Sequence, residues 1–529
     1  MRNTLKNAGF STLEMLIAMT ILILTLSAVT LTSFGSQTMI TDGQTNRDAL
    51  SKAEEGLENA QALVRKDFKL VNSTTSMEVV GGLSYTEMLT VSTTTPPDYA
   101  TKKITSTVIW GDEHARRQHV SLSAIVTNFT RAVGGDTCDS QATGDWKNPH
   151  VQNSITSISQ LLSTSTSINV ITSIDAYKGK LYVAVGNTTH ATDPTFFIFD
   201  IAKLKSNPTK ALLGKLDTAN TTAEGLFALH IAEGATTGSM YAYAANEHVA
   251  NWSTCSQNYN CAQLQILDVS SSTKLSLAST TNFKIPSIAP ASVKGTGGQA
   301  VGNSIFYKDG LVYLGLTKTL SGPEFNIIDV HDPLHPAWMG GYSVGAGISA
   351  ITVANNLAYI ATSDNTKELI VLNVSNPLNP TLASVYDAPG SAFGYGQSLS
   401  LTGDKLSFGR TYISSAPEFY ILDASSTSSR IPYPPLGIYD IGTSASPFSI
   451  LGIIVRDSLT FITGGSPSTG GKFEILNTAN PSAILPWATP LSLPSSSVGS
   501  ALDCEGNDLF VSSNDSSNNG YLLVITAGT

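Results

Sequence analysis

Ile327-Ile328-Asp329-Val330-His331-Asp332-Pro333-Leu334-His335-Pro336 aligns without a gap on Val371-Leu372-Asn373-Val374-Ser375-Asn376-Pro377-Leu378-Asn379-Pro380. Each string is a short apolar run tipped by Asp or Asn. Runs of this kind, bounded by turn residues, read as strands. The Asp/Asn and Pro that follow set up a tight turn. The alignment also removes a tempting metal pair. His331 falls on Ser375 and His335 on Asn379, so both histidines occupy turn positions and no metal ligand is assigned.

Outward from this pair, a two-run unit recurs seven times across 151–529. First runs fall at 180–185, 357–362 and 509–513, for example, and second runs at 196–201, 369–374 and 521–525. Most units carry an apolar run ahead, as at 348–353, and another behind, as at 381–386. Four strands in a unit of about 50 residues describe a propeller blade. The aligned strings resemble the repeat named for Leu-Val-Ile-Val-Asp, found in bacterial surface β-propellers. The expectation for 151–529 is an all-β seven-bladed propeller. Its seventh unit ends after a third run, so the stretch 155–162 is expected to complete that blade and close the ring.

The chain has four cysteines, none at Cys-x-x-Cys spacing, which argues against zinc or a redox dithiol. An even number in an exported protein favours two disulfides. Cys138 lies ahead of the expected closing strand and Cys504 near the start of the seventh blade, so a bridge between them would clamp the ring. A free or intermolecular Cys138 thiol is the alternative. Cys255 and Cys261 are expected to close a small loop.

Residues 1–9 are short, polar and basic through Arg2 and Lys6. Phe10 to Phe34 contains neither Gly nor Pro, and Glu14 is its one charge. Such a run is long enough to span a bilayer as a helix, and the basic flank places the N-terminus on the cytoplasmic side. A secretory signal has a shorter apolar region with the small-residue cut behind it; here Gly9 lies ahead. A carboxylate inside a span is costly and marks function. Residues 7–18, Asn-Ala-Gly-Phe-Ser-Thr-Leu-Glu-Met-Leu-Ile-Ala, resemble the prepilin cleavage motif of type IV pilin-like proteins. The resemblance implies a prepilin peptidase that cuts between Gly9 and Phe10 and N-methylates the new terminus. It also implies that Glu14 serves pilus assembly, neutralised by the terminal amine of a neighbouring subunit. The implied localisation is a single pass through the inner (cytoplasmic) membrane before assembly, then the extracellular pilus or cell surface.

A long helix is expected over 10–68, with 10–34 transmembrane. Leu50, Ala53, Leu57, Ala60, Leu63 and Val64 recur at three- and four-residue steps and form an apolar stripe, while Gly43 and Gly56 are candidate bends. Residues 69–134 read as a small pilin-like β head, because 103–110 and 120–126 alternate around a polar turn. Residues 135–150 read as a linker. The expected fold class is an α+β pilin-like N-terminal part, a long helix plus a small antiparallel sheet, followed by the propeller.

Charged residues make up 13% of the chain and the net charge is −10. With Lys and Arg never clustered beyond pairs, nucleic acid is not an expected partner. No P-loop or His-Glu-x-x-His string occurs. Residues 341–345, Gly-Tyr-Ser-Val-Gly, match the nucleophile elbow, but no helical pattern follows and Ser343 aligns with Asp387. The Asn/Asp-rich stretch 514–520 has the wrong spacing for a calcium loop and reads as a hairpin turn. No catalytic residue, cofactor or enzyme activity is assigned. Recognition is expected in the blade-two loop 246–262, where Trp252 and Tyr259 are the candidate ligand contacts, held by Cys255 and Cys261. The expected function is a minor pilin-like subunit displaying the propeller at a pilus tip or surface for adhesion. Its expected partners are the prepilin peptidase, other pilin subunits, the membrane before assembly, and a surface protein or glycan. The alternatives are a pseudopilin of a type II secretion or DNA-uptake system, and a surface hydrolase on a pilin anchor.

Overall fold

The computed structural model describes residues 12–66, 73–80, 83–93, 101–111, 118–127, 138, 142–155, 158, 170–186, 193–218, 225–234, 238–246, 263–278, 300–320, 322–390, 394–424 and 435–528. The chain divides into two compact units, Met1–Asn128 and Phe129–Thr529.

In the first unit, helix α1 (Thr12–Lys66) packs on a four-stranded antiparallel meander: Thr74–Val80, Leu83–Thr93, Thr101–Trp110 and Gln118–Thr127. Val108 pairs with Val120, and Ile104 with Ala124. The buried helix positions are Ala49, Ala53, Gly56 and Ala60, against Tyr85, Ile104, Val108 and Trp110. The expected stripe holds at Ala53, Leu57 and Ala60 and fails at Leu50 and Leu63. Leu50 is 39% exposed and Leu63 42%, and small residues take the sheet-facing positions. Gly56 is a point of close approach to the sheet, not a bend, since an added Cβ would lie 2.9 Å from Ser106 Oγ and overlap Glu87 Oε1.

Two expectations are corrected here. The described chain is nearly all-β, 59% strand against 12% helix, so the α+β fold class does not hold for the molecule. The Thr-, Ser- and Val-rich stretches between helix and propeller extend into long paired strands, and the propeller adds its seven blades to them. The single-pass membrane localisation is also overturned. Among the described residues, no helix is long and apolar enough to cross a membrane.

The second unit is a seven-bladed propeller. Blades 1 to 6 are antiparallel meanders whose first and last strands are, in turn, Val170–Tyr177 to Leu212–Leu216, Leu226–Glu233 to Ser276–Leu277, Gly302–Lys308 to Ala337–Tyr342, Ile348–Ala354 to Thr381–Tyr386, Gly396–Thr402 to Gly437–Tyr439, and Ser449–Arg456 to Leu485–Pro486. Blade 7 comprises Val498–Glu505, Asp508–Asn514 and Gly520–Gly528, closed by Asp145–Ile155. Each junction between neighbouring blades holds its own buried apolar cluster: Phe199 with Val524, Tyr182 with Ile231, Tyr243 with Leu314, Phe325 with Ile360, Tyr359 with Phe408, Phe419 with Ile462, and Phe473 with Val511. The core is thus seven wedges, and burial of apolar area between blades drives the ring together.

The closing strand lies earlier than 155–162. Asp145–Ile155 pairs with Gly520–Gly528, with Val151 opposite Ile525 and Ile155 opposite Leu522. Residues 145–150, expected within a linker, are part of this strand. As an outermost strand it tolerates Pro149 and stays mostly polar. Its anchor is Trp146, 2% exposed, edge-on to Phe461 with ring centroids 4.9 Å apart.

Candidate functional site

The first strand of every blade lines the central channel, and each carries one irregularity at the same place. The register against the second strand slips between Ile171 and Ser173, Leu226 and Ala228, Gly302 and Ser304, Ile348 and Ala350, Gly396 and Ser398, Ile450 and Gly452, and Gly499 and Ala501. A bulge re-aims the side chain of the extra residue. The seven extra residues are Thr172, Phe227, Asn303, Ser349, Gln397, Leu451 and Ser500. All seven line one cavity of about 710 Å³ on the propeller axis.

The residue after each bulge is small in every blade: Ser173, Ala228, Ser304, Ala350, Ser398, Gly452 or Ala501. Neighbouring first strands approach closely here. Ser304 Oγ donates to the Ile348 carbonyl at 3.2 Å and Ser398 Oγ to the Ile450 carbonyl at 3.3 Å, each reaching the next blade.

Among the described residues, no charged side chain lines the cavity. Its polar ring residues are not equally occupied. Thr172 Oγ1 donates to the Leu226 carbonyl at 2.6 Å, Asn303 Nδ2 to the Ile348 carbonyl at 2.6 Å, and Ser500 Oγ lies 2.9 Å from Ser512 Oγ. No hydrogen bond among the described residues engages the side chains of Ser349 and Gln397. Phe227, in blade 2, is 38% exposed. Asn514 and Asn518, from the hairpin between the second and third strands of blade 7, also line the cavity. That end of the blades is therefore its mouth.

The sequence-assigned residues fall as follows. The blade-two loop springs from the same end, where the Asn246 N–H donates to the Gln263 carbonyl at 3.0 Å. Trp252, Tyr259, Cys255 and Cys261 lie outside the described residues, as do Gly9 and Phe10; Glu14 lies on α1. Cys138 and Cys504 form a disulfide, with Cα atoms 5.2 Å apart. His331 and His335 are exposed in their turn, each Nδ1 2.7 Å from a carboxylate, Asp329 and Asp332 respectively. Ser343 is exposed between two strands and donates from Oγ to the Gly322 carbonyl at 3.4 Å. Asp515 accepts from the Ser517 and Asn519 backbone N–H groups, Asn519 Nδ2 and Tyr521 Oη. Those donors occupy its lone pairs and account for the Asn/Asp-rich turn.

The bulge ring is absent from the sequence-assigned site. Its signal is faint but present: a variable residue followed by a small one, two or three positions into each first strand.

A family model described as the LVIVD repeat matches residues 348–388, which contain blade 4 from first strand to last. No curated protein matches the chain. Among solved structures, an inactivated virginiamycin B lyase from Staphylococcus aureus with quinupristin is 12% identical, covering 69% of this chain and 98% of its own, with a TM-score of 0.44. Sqt1 of Saccharomyces cerevisiae is 10% identical, covering 69% and 97%, with a TM-score of 0.38. The chain carries an LVIVD repeat within a seven-bladed β-propeller.

Proposed function

We propose that this chain is a recognition subunit of a type IV pilin-like fibre, with the propeller cavity as its ligand site. The cavity is the observation that carries the reading. It is formed jointly by seven blades, its volume falls within the roughly 300–1,000 Å³ of small-molecule sites, and its lining is uncharged, with polar residues such as Asn303, Ser349 and Gln397 beside apolar ones such as Leu451 and the exposed ring of Phe227. The string at 7–18, with Gly9, Phe10 and Glu14, supports the fibre part.

Two experiments test the two halves. Mass spectrometry of the protein from sheared fibres is expected to find an N-methylated Phe10 at the terminus. A chain beginning at Met1, or absence from fibres, overturns the fibre half. Binding of the full chain to arrayed glycans and peptides is expected to fall in Gln397→Ala, and binding indifferent to every cavity substitution overturns the recognition half.

A further inference from the structure

We infer that the cavity accepts a neutral hexopyranose, as a glycan terminus, gripped between an open amide–hydroxyl arc and an aromatic face. This rests on the reading of the cavity as the ligand site and deepens it.

The seven bulge positions are equivalent in the fold but not in chemistry. Thr172, Asn303 and Ser500 spend their polar atoms on the protein itself. Ser349 and Gln397, on neighbouring blades 4 and 5, do not. Together they offer a hydroxyl, two amide N–H donors and an amide oxygen, a mixed set suited to sugar hydroxyls, which both donate and accept. Phe227 stands in blade 2, two blades from Ser349 and three from Gln397 around the ring. An exposed phenyl ring, with Leu451 also on the ring, in a cavity that carries open amide and hydroxyl groups calls for a ligand with both an apolar face and hydroxyls, which a pyranose supplies.

The lining argues against other classes. A sialic acid, uronate or phosphate would enter without a cationic side chain to pair its charge, and burying an unpaired charge is costly. A purely apolar ligand would strip water from Ser349 and Gln397 without replacing their hydrogen bonds.

The test is saturation-transfer NMR of the full chain with methyl glycosides of glucose, galactose, mannose and N-acetylglucosamine. Methyl glucuronide, methyl sialoside and an uncharged blocked tripeptide are run beside them. Transfer is expected to at least one neutral glycoside and to neither acidic sugar. Phe227→Ala and Gln397→Ala are each expected to weaken binding about tenfold, while Leu485→Ser, on the exposed last strand of blade 6, leaves it unchanged. Thermal melts identify any variant that fails to fold, with Ser349→Ala as the milder substitute. Preference for an acidic sugar, or sugar binding indifferent to all three cavity substitutions, overturns the inference. Tripeptide binding that Gln397→Ala abolishes, without sugar binding, overturns the ligand class but leaves the cavity as the recognition site. No cavity-dependent binding of any probe overturns both.

Discussion

Asn514 and Ile171 hold each other across the seam of the ring: Asn514 Nδ2 donates to the Ile171 carbonyl and the Ile171 N–H donates to Asn514 Oδ1, each at 2.8 Å. One amide side chain at the end of a blade-7 strand thus imitates a neighbouring peptide for the first strand of blade 1. Asn514→Ala leaves both backbone groups without that partner at a half-buried site. The expected loss is about 1–3 kcal/mol, read as a lower melting temperature. Asn514→Asp keeps the acceptor but not the donor and is expected to fall between the two.

A second closure is covalent. The Cys138–Cys504 bridge joins residues 366 apart in sequence, and Asn507 stitches the same segment by accepting from the Thr143 N–H at 3.1 Å and donating to its carbonyl at 2.7 Å. A loop this long gives a disulfide its largest entropic effect on the unfolded chain, up to about 5 kcal/mol. Reductant is expected to lower the melting temperature of the wild type and leave Cys138→Ser unmoved. Equal melting with and without reductant in the wild type would deny the bridge a stabilising role.

The propeller was legible because its information is local and repeated. The strings at 327–336 and 371–380 are a third strand with its outer turn, repeated without a gap, and apolar periodicity marks buried strands directly. The closing strand was misplaced by about ten residues, because an outermost strand needs one anchor and not an apolar pattern. Trp146 supplies that anchor, while Lys147, Asn148 and Pro149 read as loop. The cavity ring stayed hidden for a different reason. A bulge is a property of pairing between strands, and Gln397 or Ser349 carries no local mark of the register slip that turns it inward. The helix stripe is legible at Ala53, Leu57 and Ala60 but not at Leu50 and Leu63, because close helix–sheet packing selects Ala and Gly, as at Ala49 and Gly56, and leaves larger neighbours at its margin.

That last point is testable at Gly56. Its position over Ser106 and Glu87 leaves little room for a side chain. Gly56→Ala gains about 1 kcal/mol of helix propensity, and the Glu87 carboxylate can swing aside, so little net change is expected. Gly56→Leu is expected to cost about 1–3 kcal/mol through overpacking. Hydrogen exchange in the strands Leu83–Thr93 and Thr101–Trp110 should rise for Leu and not for Ala. Similar protection in both variants would show that helix and sheet do not approach closely at this point.

Buried glutamates give the propeller an unusual pH response. Glu368 and Glu418 precede the third strands of blades 4 and 5, and each accepts backbone N–H from the connection to the next blade. Glu418 Oε2 takes those of Ile441 and Gly442 at 3.0 and 3.1 Å. Burial nevertheless pushes the Glu418 carboxyl up from 4.5 to about 7, with Asp440 adding to the rise. Burial raises Glu368 to about 7 as well, against the pull of the Ala388 N–H and of Arg410, whose Nη1 is 3.6 Å away. Between about pH 4.5 and 7 the folded chain holds protons at these sites that the unfolded chain has released. Their contribution is therefore full at the acid end and is lost as pH rises toward 7, by up to about 3 kcal/mol per group. The melting temperature is expected to fall from pH 5 to pH 8 at constant ionic strength. Glu418→Gln, which carries no titrating proton, should flatten the profile, and Glu368→Gln should flatten it further when combined. A profile of unchanged slope in the double variant would remove these carboxyls as its source.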